Sequence, residues 1–303
     1  MRVAAIDLGT NTILLLIAEV DADGVHAVED HAEIVRLGEG LDATGQLAPA
    51  AMLRAREALA RYIERISALD CAHVMAVGTE ALRRASNGHL FVNDATAMLG
   101  EVGGRFSVID GEREARLSWR AVRASFPSLQ GVRTVLDIGG GSTELLVGDE
   151  QVEEVVSLPI GSVRLTERLL AHDPPTEDER QALVNTVDAA LAGAPPPRGT
   201  IVGIAGTVTT LAAMSLALTT YDGNRVHGSS LAYDALQATT RQLGETAVAD
   251  RKRTPGLDPK RADVIYAGAV ILERVLARAG AGSCLVSDRG IRWGLVYEAA
   301  GLG

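Results

Sequence analysis

The sequence predicts an α/β protein built from two copies of one β-β-β-α-β-α-β domain. Two observations carry that prediction. An apolar run, an Asp and a small-residue turn occur twice. They read Ala4-Ala5-Ile6-Asp7-Leu8-Gly9-Thr10-Asn11-Thr12 and Val135-Leu136-Asp137-Ile138-Gly139-Gly140-Gly141-Ser142-Thr143-Glu144. Further landmarks then repeat in the same order at a nearly constant offset. Asp7 to Asp137 spans 130 positions, and both Arg36 to Arg164 and Gly78 to Gly206 span 128. A period this long marks duplicated domains and not a solenoid. With 303 residues and 47% hydrophobic content the chain can fill two cores. At 3% aromatic residues those cores must be aliphatic.

The elements follow in order. After Asp7, the apolar run Ile13–Val20 reads as a strand closed by the turn Asp21-Ala22-Asp23-Gly24. A further strand-like stretch ends in Val35-Arg36-Leu37. After Asp137 come Glu144–Gly148, the turn Asp149-Glu150 and a strand-like stretch reaching Val163-Arg164-Leu165. Helical segments are expected at Pro49–Leu69 and Thr176–Leu191. Strands are expected next at Val74–Thr79 and Ile201–Thr207, and last at Phe106–Asp110 and Cys284–Asp288. The helical run Glu112–Phe126 closes the first copy. A linker near Phe126–Gly131 divides the chain into domains 1–126 and 127–303. Ala194–Gly199 reads as a Pro-rich spacer and Gly223–Ser230 as an exposed loop. Ser287–Ala300 reads as a turn and an amphipathic helix that could pack across the domain boundary.

Composition excludes several classes of function. A net charge of −10 argues against general binding to nucleic acid or to membrane surfaces. No apolar run approaches the ~18 residues of a membrane span. Asp7 interrupts the N-terminal apolar stretch, so no signal-peptide pattern is present. The two cysteines, Cys71 and Cys284, do not indicate a disulfide framework, and a reducing cytoplasm is expected. The six histidines form no metal-ligand pair. Lys252 and Lys260 are the only lysines. The cluster Arg251-Lys252-Arg253 with Lys260-Arg261 reads as a solvated surface, with approach of an anionic chain as the alternative.

The two Asp-led turns carry the chemistry. Asp at the end of a buried strand can hold a cation or a water. The glycines after it allow backbone N–H groups to face an anion. The Gly139–Thr143 turn is no P-loop, because no Lys follows. A strand follows it where the dinucleotide fingerprint needs a helix, and Glu144 stands where a nucleophile elbow needs Gly. What remains is a tight hairpin cradling phosphate, with Asp137 and Glu144 on either side to share one hard cation, Mg²⁺. Thr79 is expected to cap a helix that places Arg83 near an anion-friendly N-terminus; a plain surface arginine is the alternative. Asp110-Gly111-Glu112-Arg113-Glu114 opens another helix, in which one glutamate could activate water. Spacing leaves Glu112 and Glu114 as equal candidates.

Together these motifs resemble the exopolyphosphatase / guanosine pentaphosphate phosphohydrolase (Ppx/GppA) family. The matching residues are Asp7–Thr12, Gly78-Thr79 with Leu82-Arg83, Glu114–Leu117, Asp137–Glu144, Gly203 with Gly206-Thr207, and Ser287-Asp288 with Arg292, Gly294 and Tyr297. The resemblance implies two actin-like (RNase H-like, ASKHA) domains with the site in the cleft between them. It implies Glu114 as the water-activating base, Arg83 as a phosphate contact, and Asp137 and Glu144 as the Mg²⁺-associated carboxylates. Phosphate oxygens would be cradled by Asp7, Gly9, Thr10, Asn11, Gly139, Gly140, Gly141, Ser142, Thr143, Gly206 and Thr207. The implied reaction is water attack releasing terminal phosphate from polyphosphate or guanosine pentaphosphate, in a homodimer. Arg289 and Trp293 depart from the tail motif of the family, and Thr10 stands where Ser is common. Relatives with an extra C-terminal HD-like region are longer, and a short form is expected to favour short polyphosphate chains. An actin-fold sugar or acetate kinase would give no role to Glu114 or Arg83. An alarmone-binding protein without turnover is the non-catalytic alternative.

Overall fold

The computed structural model describes residues 1–302. The chain forms two compact units, Met1–Ala124 with Gly290–Gly303, and Ser125–Arg289.

In the first unit, β1 (Arg2–Leu8), β2 (Thr12–Asp21) and β3 (Gly24–Ile34) run as an antiparallel meander. Helices α1 (Leu41–Thr44) and α2 (Pro49–Ala68) lead to β4 (His73–Gly78). Then α3 (Glu80–Arg84) and α4 (Gly88–Gly100) lead to β5 (Arg105–Val108) and α5 (Gly111–Ser125). The sheet order is β3-β2-β1-β4-β5, with β1, β4 and β5 parallel. Alternate residues of β1 serve two cores, as the pleat dictates. Ala4, Ile6 and Leu8 join the layer that includes Ala55, Leu59 and Phe91 from α2 and α4. Val3 and Ala5 join Leu117 and Ala121 of α5 on the other face, together with residues of the C-terminal helix.

In the second unit, β6 (Arg133–Ile138), β7 (Thr143–Gly148) and β8 (Val152–Leu158) repeat the meander. Helices α6 (Ser162–Leu169) and α7 (Glu177–Ala192) lead to β9 (Thr200–Ile204). Then come α8 (Ala205–Ser215), α9 (Gly223–Val226), β10 (Ser230–Ala232), α10 (Tyr233–Glu245), α11 (Val248–Arg251), α12 (Ile265–Ala279) and β11 (Ser283–Val286). The order β10-β11-β9-β6-β7-β8 matches that of the first sheet once β10, an added antiparallel edge, is set aside. The fold is α/β, two lobes of one topology. A capping box fixes the start of α7. The Thr176 hydroxyl accepts from the Glu179 N–H, and the Glu179 carboxylate accepts from the Thr176 N–H.

The last helix, α13 (Ile291–Ala299), belongs to the first unit. Arg292 grips Asp30 of β3 with two bonds, Nε to Oδ1 at 2.8 Å and Nη2 to Oδ2 at 3.0 Å. Arg113 of α5 holds Glu298 near the other end. Two local expectations fail. Gly223–Ser230 is no open loop, because Asp222 caps the turn α9 and Ser230 begins β10. Val35-Arg36-Leu37 lies beyond β3, and Val163–Leu165 lies in α6, so neither is strand. Both segments instead supply N–H groups to the Asp-led turns.

Candidate active site

The parallel strands β1, β4 and β5 of the first unit end on one rim, the position where open α/β sheets bind ligands. Asp7 is buried near the end of β1, and its Oδ1 has no hydrogen-bond partner. Burial pushes its carboxyl up to about 7, against the opposing pull of the Arg292 guanidinium. Gly9 N–H bonds Thr12 O at 3.0 Å and closes the turn. The carbonyls of the turn are then drawn backwards. Thr10 O accepts from Gly38 N–H at 2.8 Å, and Asn11 O accepts from Val35 and Arg36 N–H at 3.0 and 2.9 Å. Among the described residues, no acceptor takes the N–H of Thr10 or Asn11. Asn11 Nδ2 is also buried without a partner. Unsatisfied buried donors are costly, and an anion would satisfy them.

Beside this turn, Thr79 N–H and Oγ1 both donate to Leu8 O, tying the end of β4 to that of β1. α3 has only five residues, and Arg83 lies in its last turn, not at its N-terminus. Its Nη1 donates to Ile109 O at 2.5 Å and pairs with Glu114 Oε1. Glu114 is 7% exposed in the first turn of α5, whereas the Glu112 side chain is 67% exposed and pairs with Arg116. Geometry therefore separates two glutamates that spacing leaves equal. Asp110 Oδ1 accepts from Arg113 N–H at 2.8 Å and caps this helix.

The second unit repeats the arrangement. Gly139 N–H bonds Ser142 O at 3.0 Å, and Gly140 O accepts from Val163 and Arg164 N–H at 2.9 and 3.0 Å. Asp137 and Glu144 are direct cross-strand partners on β6 and β7. Their Cβ atoms therefore lie about 5 Å apart on one face, where like charges repel. Glu144 is buried and accepts a hydrogen bond from Ser157 Oγ at 2.7 Å. No group of three or more His, Cys, Asp or Glu side chains able to hold a metal occurs among the described residues. Two paired carboxylates fit a cation that keeps waters and phosphate oxygens in its shell. Thr143 is committed elsewhere, since its hydroxyl donates to Ile160 O at 2.7 Å.

The sequence profile of the Ppx/GppA phosphatase family matches residues 16–302. The chain belongs to this family. It is 39% identical to a protein called exopolyphosphatase 2 from Mycobacterium tuberculosis, over 99% of both chains. It is 30% identical to a protein called guanosine-5'-triphosphate,3'-diphosphate pyrophosphatase from Photobacterium profundum, over 97% of this chain and 58% of that one. The solved Ppx/GppA family member of Aquifex aeolicus superposes with a TM-score of 0.83 at 35% identity, covering 99% of this chain and 97% of that one.

In this Ppx/GppA chain, the second rim also holds residues outside the set expected to cradle phosphate. β9 ends at Ile204, and Ala205, a non-glycine residue at φ 65°, opens α8 ahead of Gly206 and Thr207. Such strain of ~1–3 kcal/mol tends to gather at functional sites. A Cβ on Gly206 would lie 2.5 Å from Nη1 of Arg261, so the guanidinium rests directly on this turn. The basic cluster thus separates into unlike parts. Arg261 lies at the rim, Arg251 is buried against Tyr266, and Arg253 pairs with Asp250. No periodicity marks Arg261, since only tertiary folding brings it to Gly206. Ser157, which orients Glu144, stands directly opposite it on β8 and was readable from register alone.

Proposed function

We propose that this chain is a divalent-cation-dependent exopolyphosphatase releasing terminal orthophosphate by direct attack of water. The observation that carries the reading is buried Glu114, paired with Arg83 on the rim that holds the unsatisfied donors of the Gly9–Asn11 turn. A buried carboxylate needs a charged partner, and Arg83 supplies one. Glu114 accepts a proton from water as the water oxygen forms its bond to the terminal phosphorus. The bridging P–O bond breaks, and the products are orthophosphate and a chain shorter by one phosphate. In this reading Arg83 neutralises charge on the transferred group, and N–H groups of the Asp-led turns bind its oxygens. Asp137 and Glu144 would hold Mg²⁺, which neutralises phosphate charge when bound. Residues Asp7, Asn11, Gly140, Gly141, Ser142, Gly206 and Thr207 complete the cradle. The working form in this reading is a cytoplasmic homodimer.

A second reading, hydrolysis of guanosine pentaphosphate, is favoured by the Photobacterium relative. Orthophosphate release from polyphosphate, guanosine pentaphosphate and ATP, each with and without Mg²⁺, separates the two. Fastest cation-dependent release from polyphosphate supports the first reading, and faster release from guanosine pentaphosphate selects the second. Release from none of the three rejects both.

A further inference from the structure

Glu80 has no part in the chemistry above, yet it is a carboxylate only 8% exposed beside the first turn. A first-turn glutamate present only to match a helix dipole has no need of burial. Its Oε2 accepts the Thr10 hydroxyl at 3.3 Å, and its Oε1 accepts Arg84 Nη1 at 3.1 Å. Arg84 in turn bonds Asp42 through Nη2 at 2.9 Å. The charge of Glu80 is thereby compensated on the side away from Thr10. The other arm of Thr10 is fixed as well. A Cβ on Gly38 would come within 2.4 Å of Thr10 Cγ2, so that methyl fills the space Gly38 leaves.

We propose that Glu80 is a positioning residue that sets the Gly9–Asn11 turn through Thr10, and that the Thr10 hydroxyl braces the turn and does not contact substrate. A hydroxyl has one proton to donate, and Thr10 gives it to Glu80. A β-branched side chain held at both arms has a single rotamer. Its backbone is then fixed with the N–H of Thr10 and Asn11 aimed away from the Val35–Gly38 loop. This inference rests on reading that turn as a phosphate cradle.

A double-mutant cycle in the full chain tests it. Thr10→Val and Glu80→Ala are each expected to raise the KM for polyphosphate about tenfold, with kcat within about twofold, as for one lost hydrogen bond to a charged group. The double variant is expected to be no worse than either single one. Thr10→Ser and Glu80→Gln, which keep donor and acceptor, are expected to restore KM. The same cycle read in thermal midpoints requires no substrate, and non-additive losses there support the pairing even for an enzyme with another substrate. A Glu80→Ala enzyme with unchanged KM overturns the proposal. So do effects of the two substitutions that multiply, or a Thr10→Val loss that Glu80→Ala does not share.

Discussion

The two Asp-led turns reach one backbone arrangement by different means. In both, a Gly N–H closes the hairpin and one carbonyl accepts two consecutive N–H groups, from Val35-Arg36 in the first unit and Val163-Arg164 in the second. The first turn carries the buried side chains of Thr10 and Asn11, and the Thr10 hydroxyl ties it to Glu80. The second is nearly bare backbone held by close approach: a Cβ on Gly161 would lie 2.4 Å from Gly140 O. A further contrast lies beside the turns. The first rim bears the Arg83–Glu114 pair, while the second bears Asp137 opposite Glu144 and Arg261 against Gly206. On the proposed reading, duplication has kept the anion cradle in both lobes and left the proton-accepting group to one.

That division of labour predicts unequal damage. Glu114→Gln should lower kcat by about 10²–10⁴-fold with Mg²⁺-dependent substrate binding retained, whereas Glu112→Gln should leave both unchanged. Steady-state rates and equilibrium binding on the two variants check this, and equal losses would erase the contrast. Gly161→Ala comes next. With no room beside Gly140, it should cost about 1–3 kcal/mol of stability and at least tenfold in turnover. Gly9→Ala, whose Cβ would sit 3.3 Å from Thr12 O, should cost under about 1 kcal/mol. Urea unfolding of both variants decides whether close approach matters only in the second lobe.

Asp7 and His227 make opposite pH predictions. Asp7 is raised from 3.8 to about 7, so between those values the folded chain keeps a proton that the unfolded chain releases. Stability therefore falls as pH rises through that window and stays low above it. Asp7→Asn should raise stability at pH 8 by roughly 1–4 kcal/mol while impairing activity. His227 stacks on Phe126 with ring centroids 4.8 Å apart, and its Nδ1 accepts from Asp288 N–H at 3.4 Å. Burial and the nearby Arg289 push it down to about 4, so its contribution is complete above 6.5 and lost as pH falls through 4. His227→Gln should flatten that acid limb, the smallest of these effects. A thermal-midpoint profile from pH 4 to 8 reads both slopes.

Much of the fold was legible because duplication prints the same landmarks twice. The Val-Arg-Leu repeat was visible as well, but not its conformation. The triplet is loop in one lobe and helix in the other, and what is preserved is its N–H supply to the turn. The choice of Glu114 over Glu112 was readable in principle. Glu114, Leu117 and Ala121 fall at helical spacing on one buried face of α5. The anchor of α13 was not, because the Arg292–Asp30 grip joins residues 262 positions apart. Arg261 escaped for the same reason, as local sequence carries no record of which turn a distant arginine covers.

In the proposed reaction, water attacks the terminal phosphorus of a polyphosphate chain. Hydrolysis of polyphosphate of defined length in heavy-oxygen water tests it directly. One labelled oxygen is expected in each released orthophosphate and none in the shortened chain. Label in the shortened chain, or no orthophosphate released at all, would contradict it.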